Sequence, residues 1–476
     1  MSSHHLIAVV KRDCPTCAMV APVLGQLAQR GVLTVYSQDD PGFPETVPGV
    51  ADDTALDRSY ELGIEIVPTL IRHRDGQEDS RAVGWNRAEW QALTGIDDLG
   101  HNLPENQPGC GALNQDPAKL RALKLRHGDT GLSARAIEIG GEEDDIEACY
   151  DRDWSDGLPV VPPTPERVLA MLEGTSRRPD EVLGEVAPNL DACTVEKVAI
   201  NAVLAGCRPE YLPAVLAAVE CILDRDFNLH GVLATTRFVS PVVIVNGPIA
   251  RAIGMNAKGN ALGQGNRANA TIGRAVNLVV RNVGGGKPGG VDRSTLGSPG
   301  KYTYCFAEDE PGSAWTPFTV DRGLKAGTSA VTVFAGSGLQ PVIDERGRTP
   351  EDLASTFANS LRAVDNINKF PAPDAMLVVC PEHERTINGG GWDKARLHAE
   401  LMTRLTLPAD EVMPGQNGIQ EGASPKLAGK QVSKFLPHAL MIVRAGGSAG
   451  KFSAIIAGFT PSTEHTSRPV TKEVKA

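Results

Sequence analysis

Short apolar runs and helix-period stretches take turns along the chain. Leu6-Ile7-Ala8-Val9-Val10 is a continuous apolar run of strand length, and residues 18–30 follow with apolar positions at helical spacing. Residues 32–36 predict a second strand, residues 55–62 a helix, and residues 64–71 a third strand with Pro68 inside it. Arg74-Asp75-Gly76 is a hairpin turn signal, after which residues 80–84 read as a strand and residues 86–94 as a helix. A proline within a strand is tolerated at an edge or where its peptide bond is cis.

The alternation resumes beyond residue 150. Extended, proline-rich chain over residues 154–164 meets a helix start, with Thr164 as N-cap and Pro165 in the first turn. Further helices are predicted over residues 194–205, where Thr194 and Glu196-Lys197 read as a capping box, and over 210–223, 269–282, 350–364 and 392–405. Apolar runs at 242–245, 330–334, 375–379, 439–443 and 452–456 read as strands. Strands alternating with helices predict an α/β protein: an N-terminal domain over residues 1–97 and a larger α/β domain of unassigned topology over 151–459. Residues 98–150 are rich in turn formers and acidic at 140–145, the pattern of a solvated connector. Residues 460–476 are polar without period and read as a disordered tail.

Composition narrows the partners. Hydrophobic residues at 41% and charged residues at 22% describe an ordinary globular protein. A formal net charge of -11 argues against nucleic acid and anionic membrane surfaces. No apolar run reaches the roughly eighteen residues that a spanning helix needs, and the first residues carry no secretory pattern. Nine cysteines, an odd number spread widely, suit free thiols in a reducing compartment, so the expectation is a cytoplasmic protein.

Cys14-Pro15-Thr16-Cys17 stands between the first apolar run and the first helical stretch. Two thiols three positions apart at a helix start can close a small disulfide, and the free N–H groups there favour the thiolate of the first. The motif reads as a redox pair. Half of a zinc site is the alternative, but no second C-x-x-C or paired histidine motif accompanies it. Strand, C-x-x-C, helix, strand and helix, then Val67-Pro68-Thr69 ahead of a hairpin and a last helix, resembles the thioredoxin superfamily over residues 5–97. The resemblance implies Cys14 as the nucleophilic thiol, Cys17 as the resolving thiol, and Pro68 as the cis-proline that helps hold extended substrate. It implies a redox-active Cys14–Cys17 disulfide with no further cofactor and no metal. Asp13 stands where most thioredoxins carry tryptophan, Pro15-Thr16 replaces Gly-Pro, and Ala8 replaces a buried aspartate. Asp13 should raise the Cys14 pKa, and Lys11 and Arg12 should lower it.

The second domain offers four candidate constellations. A glycine loop over residues 259–265 leads through Asn266, Arg267 and Asn269 into a helix, which reads either as an anion site or as a plain connection. Residues 283–290, with Gly286 and Lys287, are glycine-rich enough to admit a ligand to the backbone or to act as a mobile lid. The turn at 444–451, with Ser448 and Lys451, reads as an oxyanion site or a simple glycine hairpin. Cys380 follows a strand and precedes His383, a candidate nucleophile and base, and Cys305 beside the glycine-rich segment is a further reactive candidate. Asp156-Gly157-Leu158-Pro159 and Arg267-Ala268-Asn269-Ala270 look like segments of uncharacterised bacterial thioredoxin-fused or selenoprotein-related (UGSC-type) proteins. Together these features predict a thiol-dependent redox enzyme. Its dithiol would deliver electrons to a substrate adduct or a cysteine of the second domain, which binds a small anionic substrate, and an external thiol reductase would supply the electrons. A Cys380–His383 hydrolase or lyase with the thioredoxin-like domain as a docking module, and a non-enzymatic chaperone that grips clients beside Pro68, are the alternatives.

Overall fold

In the computed structural model, which describes residues 4–141, 143–416, 419, 421–463 and 466–475, the first apolar run forms the central strand β1 (His4–Val10). Ala8, Val9 and Val10 are fully buried there. The chain is mixed α/β, and it divides into two units, Met1–Thr130 and Gly131–Ala476.

In the first unit, α1 (Pro15–Ala28), β2 (Leu33–Ser37), β3 (Ala51–Asp52) and α2 (Asp57–Glu61) follow β1. Next come β4 (Ile66–Val67), β5 (Thr69–Arg74), β6 (Gln77–Val83), β7 (Trp85–Asn86) and α3 (Arg87–Thr94). The main sheet has the order β3-β2-β1-β5-β6, with β1 parallel to β2 and antiparallel to β5. The Val67–Pro68 peptide is cis.

Residues 98–127 correct the expected connector. They form β8 (Asn106–Gln107), β9 (Cys110–Gly111) and α4 (Pro117–His127), all within the first unit. The physical cause is a buried aromatic pair. Trp85 and Trp90 meet edge to face at 5.1 Å, and the Trp85 Nε1–H donates to the Pro104 carbonyl at 2.7 Å. Leaving two such rings exposed would cost several kcal/mol. A side-chain network extends the cover: Gln38 donates to Asn114 at 3.0 Å and accepts from the Leu113 N–H at 2.9 Å, while Arg126 pairs with Asp57 at 2.6 Å.

The second unit adds α5 (Asp145–Asp151), α6 (Pro165–Leu172), β10 (Val182–Val186), β11 (Asp191–Thr194), α7 (Val195–Ala205), α8 (Leu212–Leu223) and α9 (Leu229–Ala234). Then come β12 (Ser240–Asn246), α10 (Pro248–Ala252), α11 (Arg267–Asn282), β13 (Cys305–Ala307), α12 (Phe318–Asp321), β14 (Ala330–Ile343) and α13 (Pro350–Arg362). The chain closes with β15 (Ala375–Val379), α14 (Pro381–Gly389), α15 (Lys394–Arg404), β16 (Thr406–Pro408), β17 (Gln431–Ser433), β18 (Leu440–Arg444), β19 (Phe452–Gly458) and β20 (Val470–Glu473). Its seven-stranded sheet runs β13-β12-β14-β19-β15-β18, with β20 also on β14.

The long β14 joins two half-sheets. Its first half lies between β12 and β20, and its second half pairs with β19 across a register shift between Gly336 and Leu339. At the junction a side chain on residue 336 would sit 2.6 Å from Val242 Cγ2 and 3.0 Å from Ile456 Cγ2, so only glycine lets both strands approach. The expected disordered tail is corrected here: β20 pairs with β14, and Thr332 and Thr471 hydroxyls share a 2.9 Å hydrogen bond. Thr194 caps α7 as predicted, accepting from the Lys197 N–H at 3.2 Å. Glu196 instead turns inward and accepts from the backbone of Ser133 and Ala134. Among the described residues no helix is long and apolar enough to cross a membrane.

Candidate functional site

The C-x-x-C opens α1, with Cys14 at the N-cap in extended conformation and Pro15 in the first turn. The Cys17 N–H points to Cys14 Sγ at 3.4 Å, one of the donors left free at a helix start. Cys14 Sγ also lies 3.5 Å from the Val67 carbonyl, next to the cis bond to Pro68. Two segments, the dithiol motif and Val67–Pro68, are therefore brought together across 53 positions of sequence.

The structure adds a residue that the sequence reading did not single out. β9 pairs antiparallel with β4, which aligns Cys110 with Val67. The Thr16 hydroxyl donates to the Pro108 carbonyl at 2.6 Å and the Lys11 ammonium to the Gly111 carbonyl at 2.9 Å, so residues 108–111 lie along the dithiol. Burial pushes the Cys14 thiol up, but hydrogen bonds from the Cys110 thiol and from Cys17 more than offset this, leaving Cys14 below its ordinary value. Cys110 is raised correspondingly, chiefly by that same hydrogen bond. Burial raises Cys17 strongly. Flanking charge contributes little to Cys14, because Arg12 turns away to pair with Asp40 at 2.5 Å and Glu45 at 2.6 Å. The local trace of Cys110 in the sequence is slight: one thiol between two glycines in a turn-rich run.

In the second unit, Cys380 caps α14 at the end of β15. Its N–H donates to Ser453 Oγ at 3.1 Å, and the same oxygen lies 2.8 Å from His383 Nδ1. His383 Nε2 donates to the Asp344 carbonyl at 3.1 Å, and the ring meets Phe357 edge to face at 5.5 Å. Burial raises the Cys380 thiol, yet its hydrogen bond with His383 brings it below the ordinary value. Burial lowers His383, and the same contact reverses that, leaving it raised. The pair is chemically matched and buried, with Cys380 4% and His383 0% exposed.

A cleft of about 460 Å³ lies nearby in the sheet, lined by Arg251, Asn256, Lys258, Glu308 and Asp309 among others, and by neither Cys380 nor His383. Burial raises Glu308 to about 7. Arg444 pairs with Asp309 and, at 3.0 Å, with Glu384.

The other predicted binding residues have structural partners. Asn266 caps α11 and donates to the Gly254 carbonyl, while Asn269 is buried and pins Asn256 and Ala261. Arg267 Nε donates to the Gly206 carbonyl at 2.9 Å. Gly286 packs against Val280 and Leu233, and Lys287 pairs with Asp153, so the glycine-rich run is packed against its own chain. Ser448 offers its carbonyl to Arg385 at 3.1 Å, and Lys451 donates to the Glu345 carbonyl at 3.4 Å. Cys305 lies in the apolar core against Gly273, its thiol raised by burial. The structure does join two predicted loops: the Gly446 N–H donates to the Ala257 carbonyl at 2.9 Å, and Gly447 lies against Gly259.

No protein-family model matches the chain, and no curated protein matches it. Among solved structures it is similar to a hypothetical protein from Sinorhizobium meliloti 1021, at 17% identity over 23% of this chain and 79% of that one, with a TM-score of 0.16. A likeness of that size carries no argument about fold or function.

Proposed function

We propose that the Met1–Thr130 unit is a thioredoxin-like thiol–disulfide oxidoreductase module whose redox group is the Cys14–Cys17 pair. The observation that carries the reading is the environment of Cys14 Sγ: a helix N-cap position, the Cys17 N–H at 3.4 Å, and the carbonyl preceding cis-Pro68 at 3.5 Å. Each N–H directed at the sulfur favours its thiolate, the form that attacks a disulfide. In the exchange two electrons leave the dithiol. A client disulfide is cleaved to two thiols, Cys17 closes on Cys14 as its proton is released, and an external thiol reductant later reverses the closure.

The client is an outside disulfide. The six cysteines of the second unit, Cys149, Cys193, Cys207, Cys221, Cys305 and Cys380, are all buried, which favours an external partner over Cys305 or Cys380. The test is single-turnover reduction of a small aromatic disulfide by the reduced protein. Two client thiols are released per chain as Cys14–Cys17 closes, and Cys14→Ser slows release of the second at least 100-fold. Release of both thiols at the wild-type rate by Cys14→Ser rejects the reading.

A further inference from the structure

Resting on the dithiol reading above, we propose that Cys110 is a third redox-active thiol, the one through which Cys14 and Cys17 exchange electrons with solution. Access separates the three thiols. Cys14 is 1% and Cys17 0% exposed, whereas Cys110 is half-buried. A client disulfide that approaches the folded unit meets Cys110 first.

The strand that carries Cys110 is built into the site. β9 pairs with β4, and two side chains of the dithiol segment, Thr16 and Lys11, hold the carbonyls on either side of it, those of Pro108 and Gly111. At residue 109 a side chain would come within 2.4 Å of Ile66 Cγ2 and 2.6 Å of the Val67 carbonyl oxygen. Only glycine allows this approach, which sets the next residue beside Cys14. An extended client strand next to Pro68 would need the edge of β4 that β9 already occupies. The unit thus carries its own strand, with its own thiol, where a client would lie.

The relay balances in three exchanges. Cys110 attacks one sulfur of the client disulfide, its proton passing by way of Cys14 to the departing client thiolate. Cys14 thiolate then attacks Cys110 Sγ, expelling the second client thiolate and forming a Cys14–Cys110 disulfide. Cys17 releases its proton and attacks Cys14 Sγ, and Cys110 leaves and is reprotonated. The client disulfide has gained two electrons, Cys14 and Cys17 have lost them, and Cys110 is unchanged.

Glutathione disulfide serves as the probe, with acid quenching and peptide mapping of the full-length chain. Cys110→Ser, a near-isosteric change at a half-buried position, slows formation of the Cys14–Cys17 disulfide at least 20-fold. Cys17→Ser accumulates the Cys14–Cys110 disulfide, and Cys14→Ser accumulates glutathione on Cys110. Closure of Cys14–Cys17 at an undiminished rate in Cys110→Ser, with glutathione found on Cys14, overturns this proposal and leaves the dithiol reading standing. A wild-type chain in which Cys14–Cys17 never closes overturns both.

Discussion

Two residues carry an unusual chemical or steric load, and each makes a prediction at its own position. Gly109 admits no side chain, so Gly109→Ala sets a methyl group against the Val67 carbonyl and forces β9 off β4. Overpacking of this kind costs about 1–3 kcal/mol. The expected result is a lower urea midpoint together with faster direct alkylation of Cys14, read by peptide mapping; unchanged values of both contradict the packing argument. Glu308 is buried, and burial raises its carboxyl to about 7 against an ordinary 4.5. Its folded-state pKa is therefore above its unfolded one. The stability it contributes is fully present below about pH 4.5 and is lost as pH rises through 7, on the order of 3 kcal/mol. Glu308→Gln flattens that part of the stability–pH curve, and an unchanged curve would show that the carboxyl titrates normally. Legibility in the sequence divides along the same line. Cys14, Cys17 and Pro68 announce themselves through local spacing, because a helix start and a strand-internal proline are local facts. Cys110 reaches the site by pairing with Val67, a long-range contact that no local pattern encodes.

At the scale of elements, strands and helices with a clear period lie close to where their patterns put them. α1 and α15 carry their own N-caps, and β15 is a continuous apolar run of five residues. Elements that exist only through pairing escape: β8 and β9 have two residues each, and β20 is a polar strand held by β14. The glycine-rich run at 283–290 shows the opposite error. Its glycines permit close packing against residues 186–189, where a side chain at 284 would meet the Ala187 carbonyl at 2.4 Å, so composition that reads as mobility encodes contact. Residues 98–127 carry the sharpest consequence. They cover Trp85 and bond to Gln38 and Asp57, so a chain ending at residue 97 leaves a large apolar surface open. Residues 1–97 alone are expected to aggregate or lack near-ultraviolet dichroism, whereas residues 1–130 unfold cooperatively in urea. Equal cooperativity for the two contradicts the assignment of residues 98–127 to the first unit.

At the scale of the whole molecule, the nine cysteines, all among the described residues, sort by exposure into one half-buried thiol and eight buried ones. The second unit buries its thiols, Cys305 within an apolar core and Cys380 beside His383. The first unit gathers three cysteines from two segments around one helix N-terminus. The redox chemistry proposed above is therefore confined to Met1–Thr130, with the cysteines of Gly131–Ala476 outside it. The measurement that bears most directly on this is a redox titration of the full-length protein in glutathione buffers, with differential alkylation and mass spectrometry at every cysteine. A reversible two-electron couple at Cys14 and Cys17 is expected, with Cys149, Cys193, Cys207, Cys221, Cys305 and Cys380 reduced throughout. A Cys14 that stays free across the titration, or a reversible couple formed by Cys305 or Cys380, would contradict it.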